Sequence, residues 1–141
     1  MLKITSEALH RMIEHSRRDY PNEACGFLAG RAGVPAGVIV RAIPMRNVDA
    51  SPTSYTMDPL EQMRVQRALR DEGLEHAGIY HSHVATEAYP SRRDVAHALA
   101  IQEFCQVPYL LVTLKDEQPH VRAFTMLDGH VHEEELVEAA S

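Results

Sequence analysis

The sequence predicts an α/β domain, a central mixed sheet flanked by helices. Three observations carry the prediction. Short apolar, β-branched runs such as residues 38–43 and 109–114 alternate with longer segments whose apolar residues recur at helical spacing. Two segments open on strong helix starts, Asp58-Pro59-Leu60-Glu61 and Ser91-Arg92-Arg93-Asp94. The 141 residues, 45% hydrophobic and 24% charged, are ordinary for one soluble domain that buries a core without staples.

Taken in order, residues 2–4 read as a short strand. Thr5 or Ser6 then caps a helix carrying Leu9, Met12 and Ile13 on one face, and Pro21 ends it. Residues 24–29 read as a buried strand, the Gly/Pro-rich piece 30–37 as a turn, and residues 38–43 as a single strand. Asp58, Pro59 and Glu61 begin a helix that runs to about Glu72, where Gly73 stops it. Residues 77–81 form a short central strand, and a second capped helix runs from near Ser91 through Phe104. Residues 109–114 and 121–126 are strands joined by the polar turn 115–119. After the hairpin dipeptide Asp128-Gly129, His130 and His132 lie on an exposed strand end, and the acidic tail 133–141 reads as a short helix or a frayed end.

No repeat or long linker interrupts residues 1–141, so one domain is expected. The net charge of −6 argues against a general nucleic-acid surface, which needs a basic face. Two cysteines, Cys25 and Cys105, can build neither a disulfide framework nor a four-Cys zinc site. The first residues carry charges from Lys3 onward and lack the apolar core of a secretory signal. The apolar stretch 107–112 is too short to span a bilayer. A reduced, cytoplasmic protein without membrane or nucleic-acid partners is therefore expected.

The segment that carries chemistry runs from His81 to Asp94. His81 and His83 are two apart, a spacing that on a strand points both imidazoles to one side. Asp94, just inside the next helix, can return a carboxylate oxygen to the same ion. Two His and one Asp leave a fourth tetrahedral position open, the mark of a catalytic rather than a structural zinc site. Each piece has a bland reading alone: paired histidines are often hydrogen-bonded core residues, and S-x-x-D is a common helix cap. Jointly they are rare. At this chain's His, Ser and Asp frequencies, a His-x-His pair with Ser eight and Asp eleven positions on is expected about 0.0014 times. Glu23, in Pro21-Asn22-Glu23-Ala24-Cys25-Gly26, is a candidate proton shuttle. Cys25 reads as a packed thiol rather than a nucleophile.

The ordered pattern Glu23…His81-Ser82-His83…Ser91…Asp94 resembles the signature of the JAMM/MPN-positive metallopeptidases. The flanks 23–30 and 47–59 resemble the same family, so the likeness covers residues 4 to about 126; Val84, where many relatives carry proline, departs from it. The resemblance implies a three-layer α/β/α sandwich related to cytidine deaminases. It implies one zinc ion on His81, His83 and Asp94, Glu23 as general acid/base, and Ser91 as the group that stabilises the oxyanion. It further implies hydrolysis of an amide at the C-terminus of a ubiquitin-like sulfur-carrier protein with a Gly-Gly tail, an extended segment suited to a groove beside a sheet edge. Thr86, Glu87 and Tyr89, on the loop before Ser91, are candidate substrate contacts. Homo-oligomers are compatible with this reading.

Two other zinc hydrolases fail on ligands: the chain has neither the H-x-E and P-C-x-x-C of deaminases nor H-E-x-x-H. The alternative from another class is a non-catalytic scaffold of the same fold.

Overall fold

The structure, a computed structural model, describes residues 1–32 and 38–139. A six-stranded mixed sheet has the order β4-β2-β5-β6-β7-β8, formed by β2 (Cys25–Arg31), β4 (Arg41–Met45), β5 (Leu74–His83), β6 (Tyr109–Thr113), β7 (His120–Leu127) and β8 (His130–Glu134). Only the β5–β6 pair is parallel, as a strand–helix–strand crossover requires. A second sheet, all parallel, joins β3 (Val38–Ile39), β1 (Leu2–Thr5) and β9 (Leu136–Ala139).

Among the described residues three helices cover the large sheet. α1 (Ser6–Asp19) is capped by Thr5, whose hydroxyl oxygen accepts the Ala8 amide at 3.2 Å. α2 (Pro59–Asp71) starts on Asp58, whose carboxylate accepts the Glu61 amide, and stops where Gly73 takes φ +74°. α3 (Arg92–Ile101) opens on a reciprocal cap between Ser91 and Asp94.

Strand alternation sorts the side chains to the two faces. Leu28, Tyr80, Leu110 and Val112 pack with Ala8 and Met12 of α1 on one side. Their neighbours Phe27, Ile79, Leu111 and Phe124 pack with Ala98 of α3 and half-buried Val65 of α2 on the other. The result is the expected three-layer α/β/α arrangement, and Ile79, His81 and His83 of β5 face α2 and α3. The buried Tyr80 ring lies against Gly26, where a Cβ would strike both that ring and the Ile43 carbonyl. His15 of α1 is also buried, and its two ring nitrogens meet the Tyr80 hydroxyl at 2.7 Å and Asp19 at 3.0 Å.

Four expectations need correction. Residues 38–43 are not one strand: the chain changes sheets at Val40, so β3 pairs with β1 while β4 pairs with β2. The second capped helix ends at Ile101, and Phe104 and Cys105 turn back by donating their amides to its carbonyl. The tail is neither helical nor frayed through Ala139, because β9 fills the free edge of β1 in register Leu2↔Leu136. The central strand is twice its expected length, ten residues, and contains both His81 and His83. The expected turn 30–37 falls largely on residues 33–37, outside the described residues; Gly30 and Arg31 close β2.

Candidate metal centre

The C-terminal end of β5 places His81 and His83 on the face shared with α2 and α3. Both are buried, as is Asp94 in the first turn of α3. His81 Nε2 and His83 Nε2 stand 3.3 Å apart, and Asp94 Oδ2 lies 3.2 Å from the first and 3.1 Å from the second. Among the described residues this is the one group of three or more His, Cys, Asp or Glu side chains able to hold a metal ion.

The donor set fits zinc. Ligand atoms at about 2.0–2.1 Å from a tetrahedral zinc stand about 3.3 Å from one another, close to the three separations found here. The hydrogen bonding points the same way. His83 Nδ1 lies 2.7 Å from the Glu87 carbonyl, an acceptor only, so Nδ1 carries the hydrogen. A neutral His83 therefore aims the Nε2 lone pair at a carboxylate oxygen, an arrangement that calls for a cation between them.

The electrostatics reflect that demand. Burial alone would lower the His83 pKa, but the bonds to Asp94 and the Glu87 carbonyl raise it overall. Burial lowers His81, against the pull of Asp94. Burial would raise Asp94, yet its contacts with both imidazoles and the Ser91 amide hold it far below the usual carboxylate range.

Glu23 reaches the same place by register. β2 and β5 pair Cys25 with His81, and two further steps put Glu23 opposite His83 on the same face. The pairing continues past Cys25: the Ser82 amide donates to the Ala24 carbonyl at 3.0 Å, and the Ala24 amide donates to Ser82 Oγ at 2.8 Å. Glu23 is buried, and burial pushes its carboxyl up to about 7, with the Asp94 charge adding to the rise and His83 opposing it. Such a group gives and takes protons at neutral pH.

Ser91 caps α3. Its amide donates to Asp94 Oδ2 at 2.9 Å, and its Oγ accepts the Asp94 amide at 3.1 Å, which leaves the exposed hydroxyl's own hydrogen free to donate. Of the loop candidates, Glu87 meets the cluster through its backbone carbonyl. Thr86 is exposed and its carbonyl accepts the Thr113 hydroxyl. Tyr89, 48% exposed, packs edge-on to Phe124 beneath the Arg122 guanidinium.

Sequence reading left three neighbours without a role. Tyr55 stacks on His81 with centroids 4.5 Å apart, His97 lies 5.8 Å from Tyr55, and Asn47 bonds the Glu23 carbonyl. For Asn47 and Tyr55 the signal was the segment 47–59, matched to a family stretch without a role for any of its residues; no motif singled out His97. Cys25 is wholly buried, its thiol pushed up to about 12 by burial, as suits a packed side chain. His130 and His132 are exposed on β8, the latter beside Glu134.

Comparison with known proteins agrees with this geometry. Residues 5–127 match the family described as prokaryotic homologs of the JAB domain. The chain is 44% identical over 135 residues, 95% of this chain and 88% of the relative, to the CysO-cysteine peptidase of Mycobacterium tuberculosis. It is 39% identical over 130 residues, 92% of this chain and 78% of the relative, to a probable TtuB-protein conjugate cleaving protease of Thermus thermophilus. A solution structure from Desulfitobacterium hafniense superposes with a TM-score of 0.88 at 34% identity, covering 100% of this chain and 94% of that one. A JAB1/MPN domain protein from Archaeoglobus fulgidus, at 18% identity and a TM-score of 0.62 over 98% of this chain and 97% of that one, shares the fold. The chain belongs to the JAB/MPN (JAMM) domain family, among its prokaryotic members.

Proposed function

We propose that this chain is a zinc-dependent peptidase that hydrolyses an amide at the C-terminal end of a ubiquitin-like sulfur-carrier protein. The observation that carries the reading is the triangle of His81 Nε2, His83 Nε2 and Asp94 Oδ2, with Glu23 on the same face, opposite His83 on the neighbouring chain segment. The substrate class is supported by the relatives, one a CysO-cysteine peptidase and another a TtuB-protein conjugate cleaving protease.

His81, His83 and Asp94 hold the metal. When bound, zinc supplies Lewis acidity, polarising the scissile carbonyl and bringing the pKa of water toward neutrality. Glu23 takes a proton from the attacking water as its oxygen bonds to the carbonyl carbon, then delivers that proton to the nitrogen as the C–N bond breaks. The products are the carrier carboxylate and a free amine. Ser91 donates its hydroxyl hydrogen to the oxyanion, its oxygen fixed by the Asp94 amide. The exposed loop residues Thr86, Glu87 and Tyr89, just before Ser91 in the chain, contact the carrier tail.

The test is mass spectrometry of a CysO–cysteine conjugate incubated with the zinc-loaded chain, the chelated chain and Glu23→Gln. The expected result is a carrier one cysteine lighter with the loaded chain alone. A folded, zinc-loaded chain that leaves both this conjugate and a TtuB-protein conjugate intact would sink the substrate assignment. A folded chain that takes up no zinc would favour the non-catalytic scaffold.

A further inference from the structure

We infer that Asn47 is the positioning residue of this site, fixing with one side chain both Glu23 and Tyr55, the ring stacked on His81. The inference rests on the general-base reading of Glu23 above.

Glu23 stands where the ladder of β2 gives out on both sides. Two steps beyond the Cys25↔Met45 pair, it faces Asn47; two steps beyond Cys25↔His81, it faces His83. On the Asn47 side, side-chain bonding replaces the ladder. Asn47 Nδ2 donates to the Glu23 carbonyl at 3.0 Å and to the Ser54 carbonyl at 2.9 Å. Its Oδ1 accepts the Asp49 amide at 3.0 Å and the Thr56 amide at 3.2 Å. Every donor and acceptor site of the amide is used, and only one orientation matches two carbonyls to two N–H groups.

The partners show what the bonds control. Ser54 and Thr56 bracket Tyr55, so Asn47 holds the backbone on either side of the ring that stacks on His81 at 4.5 Å. The same loop returns the Ser51 carbonyl to the Glu23 amide at 2.8 Å. Both backbone groups of Glu23 are thus tied to one loop, and Asn47 sets the path of that loop. Asn47 and Ser54 are buried, so water cannot readily stand in for these bonds. No other residue type meets the need: aspartate lacks the two donors, serine is too short and has one donor, and glutamine is one methylene too long.

The experiment compares Asn47→Ala, Asn47→Asp, Glu23→Gln and the double variant Asn47→Ala/Glu23→Gln. CysO–cysteine turnover, bound zinc by elemental analysis and the His81 ring resonances of the zinc-free protein are read for each. Misplacing a reacting group by an ångström costs about 100-fold, so kcat of Asn47→Ala should fall by about that factor, with KM within about threefold and one zinc per chain retained. The His81 ring signals should move as the Tyr55 stack loosens. Because Asn47 acts largely through Glu23, the double variant should be no more than about threefold slower than Glu23→Gln. If Asn47→Ala does not fold, Asn47→Asp, of the same shape, is expected to show the same kcat loss and ring shift. Losses that multiply in the double variant, or a wild-type kcat with unmoved His81 signals, would overturn the inference. Wild-type activity in Glu23→Gln would instead overturn the general-base reading, and this inference with it.

Discussion

His83 Nδ1 lies 2.7 Å from the backbone carbonyl of Glu87, so the loop leaving β5 grips the ring from behind and turns its other nitrogen toward Asp94. The grip is main-chain, which separates two neighbours by experiment. His83→Ala removes a ligand atom and should reduce bound zinc from about one per chain to a small fraction of that. Glu87→Ala keeps the carbonyl and should keep the zinc. Elemental analysis of both variants, alongside the native chain, decides the matter. Zinc lost from Glu87→Ala would mean that its carboxylate, not its carbonyl, serves the site.

The zinc-free protein should lose stability as pH rises through the titration of Glu23. The folded pKa is raised, from 4.5 to about 7, so between those values the folded state holds a proton that the unfolded chain has released. The group's contribution is complete below about 4.5 and lost as pH passes 7. Glu23→Gln carries no such charge, so its stability relative to the native chain should rise between pH 5 and pH 8 by up to about 3 kcal/mol. Asp94 has the opposite sign: its depressed pKa gives stability above the ordinary carboxylate range that is lost in acid. Urea titrations at several pH values read both effects, and a pH-independent Glu23→Gln difference would remove the case for a buried, proton-holding carboxyl.

Ser82, between the two histidines, faces away from the candidate metal centre and serves another bond. It is wholly buried, and its hydroxyl oxygen accepts the Ala24 amide at 2.8 Å, where a strand carbonyl would otherwise serve. Ser82→Ala leaves that amide unpartnered and should cost about 1–3 kcal/mol. Faster hydrogen exchange at the Ala24 amide would show that the loss is local. An unchanged urea midpoint and unchanged exchange would mean that the hydroxyl is dispensable.

Gly26→Ala should be among the most damaging changes outside the candidate metal centre. The added Cβ meets the Ile43 carbonyl and the Tyr80 ring, and Tyr80 cannot swing aside because it is buried and bonded to His15. Overpacking typically costs about 1–3 kcal/mol, and a clash with backbone lies at the upper end. Expression of a fully folded Gly26→Ala chain with a native thermal midpoint would refute the close approach.

Local chemistry made much of this protein legible. The caps at Thr5, Asp58 and Ser91 are decided by residues three apart, so helix starts read directly from the sequence. The His81–His83 spacing converges because strand geometry has period two, and the β5 alternation puts both rings on one face. The helix stop at Gly73 likewise needs only a residue that accepts positive φ. What local chemistry could not supply was the set of partners each edge would find.

The tail shows the difference. Glu133, Glu134, Glu135 and Leu136 favour a helix by propensity, yet β1 offers an open edge, and Leu136–Ala139 pair with it. The break at Val40 is of the same kind, since two sheets compete for one apolar run. At the site, the sequence by itself determined the candidate ligand types, their spacing and the helix cap that presents Asp94. Only the tertiary structure decided that Glu23 stands opposite His83, that Tyr55 covers His81, and that Asn47 reaches Glu23, because each depends on register between segments more than twenty residues apart.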